Sequence, residues 1–242
     1  MLSEIRKISS LLLSVAFSSI GFIASITVTV LAAREVSSNP LFVGFPNAVG
    51  VGGAVLGTRM IYLISKNNSQ LNALAFTFLI GAFGGAIMFY SLIVDSFVML
   101  LFGAFILGIG QSATLQTRYA ASFVAGEKFK ATALSLAVWF SVFGSVFGPR
   151  MVGSYSNFFE NIFNSELIVG YVIALVGMLF AASSLFIFTS KKSILRSPSN
   201  LESESNNQNS NKKNGNLLSL LLVLNHFTMV VIMSATPLHI QD

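Results

Sequence analysis

Residues 8–33 read ISSLLLSVAFSSIGFIASITVTVLAA, an unbroken run without Asp, Glu, Lys or Arg. A helix needs about 20 apolar residues to cross the hydrocarbon core of a bilayer. Ionised side chains are costly at that depth, so they collect at helix ends. The same pattern recurs along the chain at 36–58, 67–94, 96–117, 131–149, 167–190 and 214–241, with lengths between 19 and 28 residues. The run at 8–33 follows Arg6 and Lys7 and is longer than the ~7–15 apolar residues of a secretory leader, so it reads as a span.

Composition points the same way. The chain is 54% hydrophobic and 10% charged, with a mean hydropathy of +0.77; soluble domains carry about 25% charged residues. The apolar runs are continuous rather than alternating, which argues against the strands of a membrane β-barrel. The expectation is an all-α membrane protein.

The basic residues divide unevenly about these spans. With the N-terminus in the cytoplasm, Arg6, Lys7, Arg59, Lys66, Arg118, Lys128, Lys130, Lys191, Lys192, Arg196, Lys212 and Lys213 fall inside, and only Arg34 and Arg150 fall outside. Cytoplasmic loops are rich in Lys and Arg, so this orientation in the cell membrane is expected. The positions of the charges account for the net charge of +5 without a nucleic-acid partner. There is no Cys, which excludes disulfides and thiolate chemistry, and His226 and His239 alone do not make a metal site. No metal, cofactor or catalytic residue is expected.

Along the chain the spacing predicts helices near 9–32, 41–64, 70–93, 97–119, 130–152 and 167–189. Short connections at Arg34–Pro40 and Val94–Ser96 imply antiparallel neighbours, and Ser154–Glu166 reads as a longer polar outer loop. Residues 1–190 form a six-helix transmembrane bundle in this reading. Residues 191–216, rich in Lys, Ser and Asn, form a disordered cytoplasmic linker. Residues 217–242 supply a seventh transmembrane helix, Leu217–Ile240, which reads as the first helix of a truncated second bundle. Small residues recur every fourth position at Gly21/Ser25/Thr29, Gly53/Gly57, Gly81/Gly85, Ala104/Gly108/Ser112 and Gly144/Gly148. Such stripes let helices approach closely in lipid, whether to pack or to slide.

Two stretches carry a family resemblance. Residues 144–153 include Gly144, Gly148, Pro149 and Gly153, which resembles the fifth-helix motif of drug:proton antiporters in the major facilitator superfamily. There the motif helps seal the central cavity; a plain proline kink is the alternative. Residues 107–122, LGIGQSATLQTRYAAS, followed by ALSLAVWFSVFG, are similar to the fourth helix and fifth-helix entry of many bacterial and archaeal facilitators. Between helices 2 and 3 the chain keeps Gly57, Arg59 and Lys66 but lacks the acid and second glycine of the family's signature there. Arg59, Lys66 and Arg118 are therefore read as cytoplasmic anchors.

Gln111, Thr114 and Arg118 share a helical face at i, i+3 and i+7. Gln111, Thr114, Gln116 and Asn47 are the candidates for a substrate cavity. The resemblance implies a bundle of two inverted three-helix repeats. It further implies secondary active transport of a small molecule by alternating access, with proton-coupled efflux as one form. The substrate is unknown, the partners are the lipid bilayer and a missing C-terminal half, and the chain alone is expected to transport poorly. The competing readings are a non-transporting membrane scaffold and the remnant of a disrupted transporter gene. Helix 7 has no Schiff-base Lys, and the chain has no paired Asp or H-E-x-x-H motif; retinal chemistry and intramembrane proteolysis are not indicated.

Overall fold

The structure, a computed structural model, describes residues 2–37, 42–67, 69–126, 129–163 and 165–188. These form six helices: α1 (Leu2–Val36), α2 (Phe45–Asn67), α3 (Gln70–Ile93), α4 (Phe97–Val124), α5 (Lys130–Phe163) and α6 (Ile168–Phe188). All six are long and apolar enough to cross a membrane. The linker 191–216, the seventh helix and both histidines lie outside the described residues.

Serine and threonine are frequent in these helices, and many of their hydroxyls are satisfied locally. Ser14 donates to the Leu11 carbonyl at 2.8 Å, Thr29 to Ser25 at 2.6 Å, Thr77 to Ala73 at 2.8 Å and Thr117 to Ala113 at 2.7 Å. Bonding back to the preceding turn hides a polar group where no water can serve it. Two tight connections use left-handed backbone, at Asp95 (φ 50°) between α3 and α4 and at Gly126 (φ 72°) after α4.

Glycines set which helices meet. A Cβ added to Gly21 would lie 3.0 Å from Ala174, and one added to Gly81 would lie 2.7 Å from Gly110. Gly53 and Gly57 abut α4 at Phe105 and Ile109, and Gly144 and Gly148 abut α1 at Ser19, Ile20 and Ala24. The small-residue stripes are thus buried between helices, where dispersion and close backbone approach hold a membrane bundle together.

The register of these contacts fixes direction. α6 runs antiparallel to α1 and α3, and α4 runs antiparallel to α3; α2 follows α4 and α5 follows α1. The most extensive interfaces are α3–α4, α1–α6, α2–α4, α3–α6 and α1–α5, with α1–α4 behind them. Exchanging α1, α2 and α3 for α4, α5 and α6 leaves this pattern unchanged. Since α1 and α4 run oppositely, the two three-helix units are inverted repeats.

One expectation is corrected. Ser154–Glu166 is not an outer loop, because α5 continues as helix through Phe163. No Gly or Pro interrupts residues 154–163, and the aromatic side chains find partners. Phe163 meets Phe89 of α3 edge to face at 5.5 Å, and stacks with Phe159 at 6.2 Å. Ser154, Asn157 and Glu160 are exposed in this stretch, as are Tyr155, Phe158 and Ile162.

Candidate functional site at the bundle waist

Four glycines mark a common level. Gly81 faces Gly110, Met178 touches both, and the neighbouring Gly177 faces Gly21. α1, α3, α4 and α6 therefore cross at one waist. Polar atoms without partners gather beside it. Among the described residues, Ser19 Oγ on α1 and Gln111 Oε1 and Thr114 Oγ1 on α4 are buried there and make no hydrogen bond; Arg118 Nε, two turns further along α4 than Gln111, and Ser165 Oγ, before α6, are also without partners but away from the waist. Gln111 follows Gly110 directly, and Ser19 precedes Gly21 by two residues. An unsatisfied polar group inside a membrane bundle is costly, so a cluster of them on two packed helices suits a position that a ligand or water must reach.

The sequence-derived candidates separate on this frame. Gln111, Thr114 and Arg118 do lie along one face of α4. Gln116 is half-buried and sits about 140° around the helix from Gln111, so the two glutamines do not share a wall. Asn47 is half-buried in the first turn of α2, well away from the waist. Arg118 stands two turns before the end of α4 and is only half-buried. Lys66 is exposed in the last turn of α2, whereas Arg59 lies within the helix, two turns before Asn67. In the α5 motif Gly144 and Gly148 pack on α1, Pro149 is exposed inside the helix, and a Cβ on Gly153 would meet nothing.

Two residues went unflagged in the sequence. Ser19 looked like one of many helix serines, and only its missing partner distinguishes it. Arg150 was assigned to the outer side because α5 was expected to end at 152. With α5 running to Phe163, Arg150 lies two residues past Gly148 and close to the waist.

α2 and α5 differ from the rest of the bundle. Only 22% of the apolar stretch of each is buried, against 50–56% for the other four. α2 packs chiefly on α4 and α5 chiefly on α1, and the two make no extended contact with each other. Among the described residues no group of three or more His, Asp or Glu could hold a metal ion.

Comparison with known proteins meets this geometry. YdeG, an uncharacterised MFS-type transporter of Bacillus subtilis (strain 168), is 26% identical over 239 residues, covering 95% of this chain and 56% of the relative. YddS, a second uncharacterised MFS-type transporter of the same organism, is 26% identical over 245 residues, covering 97% and 56%. Over nearly its whole length the chain is similar to MFS-type transporters. It spans about half the length of the curated relatives it matches. No family model and no solved structure matches it. Six helices of membrane-spanning length and this similarity mark an integral membrane protein, whose solvent is the lipid bilayer.

Proposed function

We propose that this chain forms one bundle of a secondary active transporter that carries a small molecule by alternating access. The observation that carries the reading is the row of unpartnered polar atoms on α1 and α4, set at the waist of a bundle whose α2 and α5 leave most of their surface uncovered. A transport site near the bilayer midplane, at an interface between repeats, has this form. The similarity to YdeG and YddS supports the class.

In this reading a second bundle seats against the exposed faces of α2 and α5. The length of the relatives supports that arrangement. Gln111, Thr114 and Ser19 contact the substrate, while Gly144, Gly148 and Pro149 hold α5 against α1 so that the rocking bundle keeps a tight seam. The N-terminus is cytoplasmic and the protein resides in the cell membrane, with proton-coupled efflux as one mode.

Reconstitution tests this. Purified chain in proteoliposomes is expected to give no saturable flux of labelled drug-like cations or organic anions. The same chain co-expressed with the second half of YdeG is expected to give flux that Gln111→Ala reduces. Saturable flux from the uncomplemented chain would overturn the two-bundle reading, and failure of every complemented pair would overturn transport.

A further inference from the structure

A groove of about 480 Å³ runs along the outer surface of the bundle where α3 packs on α6. Leu79 of α3 forms one side, and α6 supplies the rest from Val176 to Phe186. Side-chain size shapes it. Phe180 and Phe186 are each about half exposed, and the small side chains of Ala182 and Ser183 lie between them. Phe17 of α1 stacks on Phe180 at 5.5 Å, which holds that ring in place. The Ser183 hydroxyl donates to the Phe180 carbonyl at 2.9 Å, so the one polar side chain of the lining is already satisfied. Everything else the groove presents is hydrocarbon or aromatic ring.

Its depth is fixed by the register of the two helices. Gly85 abuts Leu175, and Gly81 lies against Met178. One end of the groove, at Val176, therefore adjoins the waist, and Phe186 stands about level with Leu74, close to the start of α3. From Val176 to Phe186 the rise is roughly 15 Å, half of the ~30 Å hydrocarbon core. The groove thus occupies one leaflet, the one into which the C-terminal end of α6 runs.

Charge gathers at that end. Lys191 and Lys192 follow Phe188, the last residue of α6, by three and four positions. A residue spans at most ~3.6 Å of chain, so by whatever path the chain takes both stay within roughly 15 Å of the helix end. Asn72 is exposed on the same stripe of α3 as Phe76 and Leu79, about level with Phe188 by the same register. An apolar trough one leaflet long, with a polar and basic mouth, has the form of a lipid.

We propose that this groove binds one anionic phospholipid, with an acyl chain laid along Leu79, Ala182 and Ser183 between the two phenylalanines and the phosphate held at the mouth by Lys191 and Lys192. The bilayer supplies the chain, since the helices span it. The lysines choose the headgroup, because basic residues just beyond a membrane helix attract anionic lipid. Lysines that only set topology need no groove beside them. The groove holds the chain still, so that headgroup and lysines meet in one place. None of this depends on the transport reading.

Brominated lipids test it, because bromine on an acyl chain quenches a nearby indole. Trp139 is the chain's single tryptophan, so the full chain carrying W139F and F186W reports on the groove alone. In nanodiscs of mixed phosphatidylglycerol and phosphatidylcholine, this reporter should favour brominated phosphatidylglycerol by about 3- to 10-fold. The native Trp139, exposed on α5, serves as the control in the unsubstituted chain and should show a ratio near one. K191Q/K192Q should bring the ratio at the groove down to one, and K191R/K192R should keep it. S183F fills the groove from an exposed position and should also abolish the preference, with both lysines intact. Thermal unfolding of each variant is expected to match the parent. A ratio near one at the groove (ordinary boundary lipid), an equal preference at Trp139, or a preference that survives K191Q/K192Q or S183F would each overturn the proposal. So would the absence of quenching by either lipid, the result if another protein segment, such as residues 217–240, fills the groove.

Discussion

Glycine 53 and glycine 52 are neighbours with opposite roles. A Cβ at Gly53 would overlap the Phe105 carbonyl of α4, while one at Gly52 would meet nothing. Gly53→Ala must push two backbones apart, and overpacking of this kind costs about 1–3 kcal/mol. Gly52→Ala removes only backbone freedom from the unfolded chain and should be neutral or stabilising by a few tenths of a kcal/mol. Thermal unfolding in one detergent should therefore show a clear drop for Gly53→Ala and none for Gly52→Ala.

Thr114 offers a second test at this scale. Its hydroxyl is buried without a partner, so the near-isosteric Thr114→Val should raise stability by about 1 kcal/mol. A drop on the same melting curve would mean that the hydroxyl has a partner within the bundle, and would remove Thr114 from the ligand-facing row.

At the scale of elements, α5 is the instructive case. Its extension beyond Gly153 is held by rings: Phe163 on Phe89, and Phe159 on Phe163. An aromatic pair contributes about 0.5–1.5 kcal/mol. Phe163→Ala should raise hydrogen exchange across 154–163 by roughly fivefold, for a loss of about 1 kcal/mol, and leave 130–148 as protected as before. Equal change in both segments would mean that the extension and the span open together.

Six of the expected helices were legible because excluding charge from a 20-residue window is a coarse, strong signal that survives errors of a few residues. The end of α5 was not legible. SYSNFFENIF has enough polar residues to look like a loop, and what makes it helical is a tertiary contact to α3 that no local pattern encodes. The glycine stripes could be seen but not their partners, because a four-residue spacing says only that something approaches closely. The α4 row at 111, 114 and 118 was visible as periodicity, whereas Ser19 and Arg150 became candidates only once the waist was located.

For the whole molecule, topology is directly testable because the chain has no native Cys. Single cysteines at Asp95 and Gly126, in connections at opposite ends of the bundle, should react differently with an impermeant maleimide in intact cells. Asp95→Cys should label, and Gly126→Cys should label only after permeabilisation. The reverse pattern would place the N-terminus outside. The inverted repeats also predict paired effects. Because Gly57 and Gly148 hold equivalent seams on α4 and α1, Gly57→Leu and Gly148→Leu should lower the yield of folded bundle by similar factors, measured as monodisperse protein after gel filtration. A large effect at one and none at the other would mean that the two seams are not equivalent.

The long-range pairing of α1 with α6 has a consequence for biogenesis. Gly21 seats on Ala174, a residue the ribosome reaches about 150 codons later, or roughly 10–30 s at ordinary rates of synthesis. Throughout that interval the first helix waits in the bilayer with its small-residue face unoccupied, open to proteases and to stray neighbours. A translational pause or a stop before α6 would strand it there, and membrane quality-control machinery would see the orphaned face of α1 before any other defect.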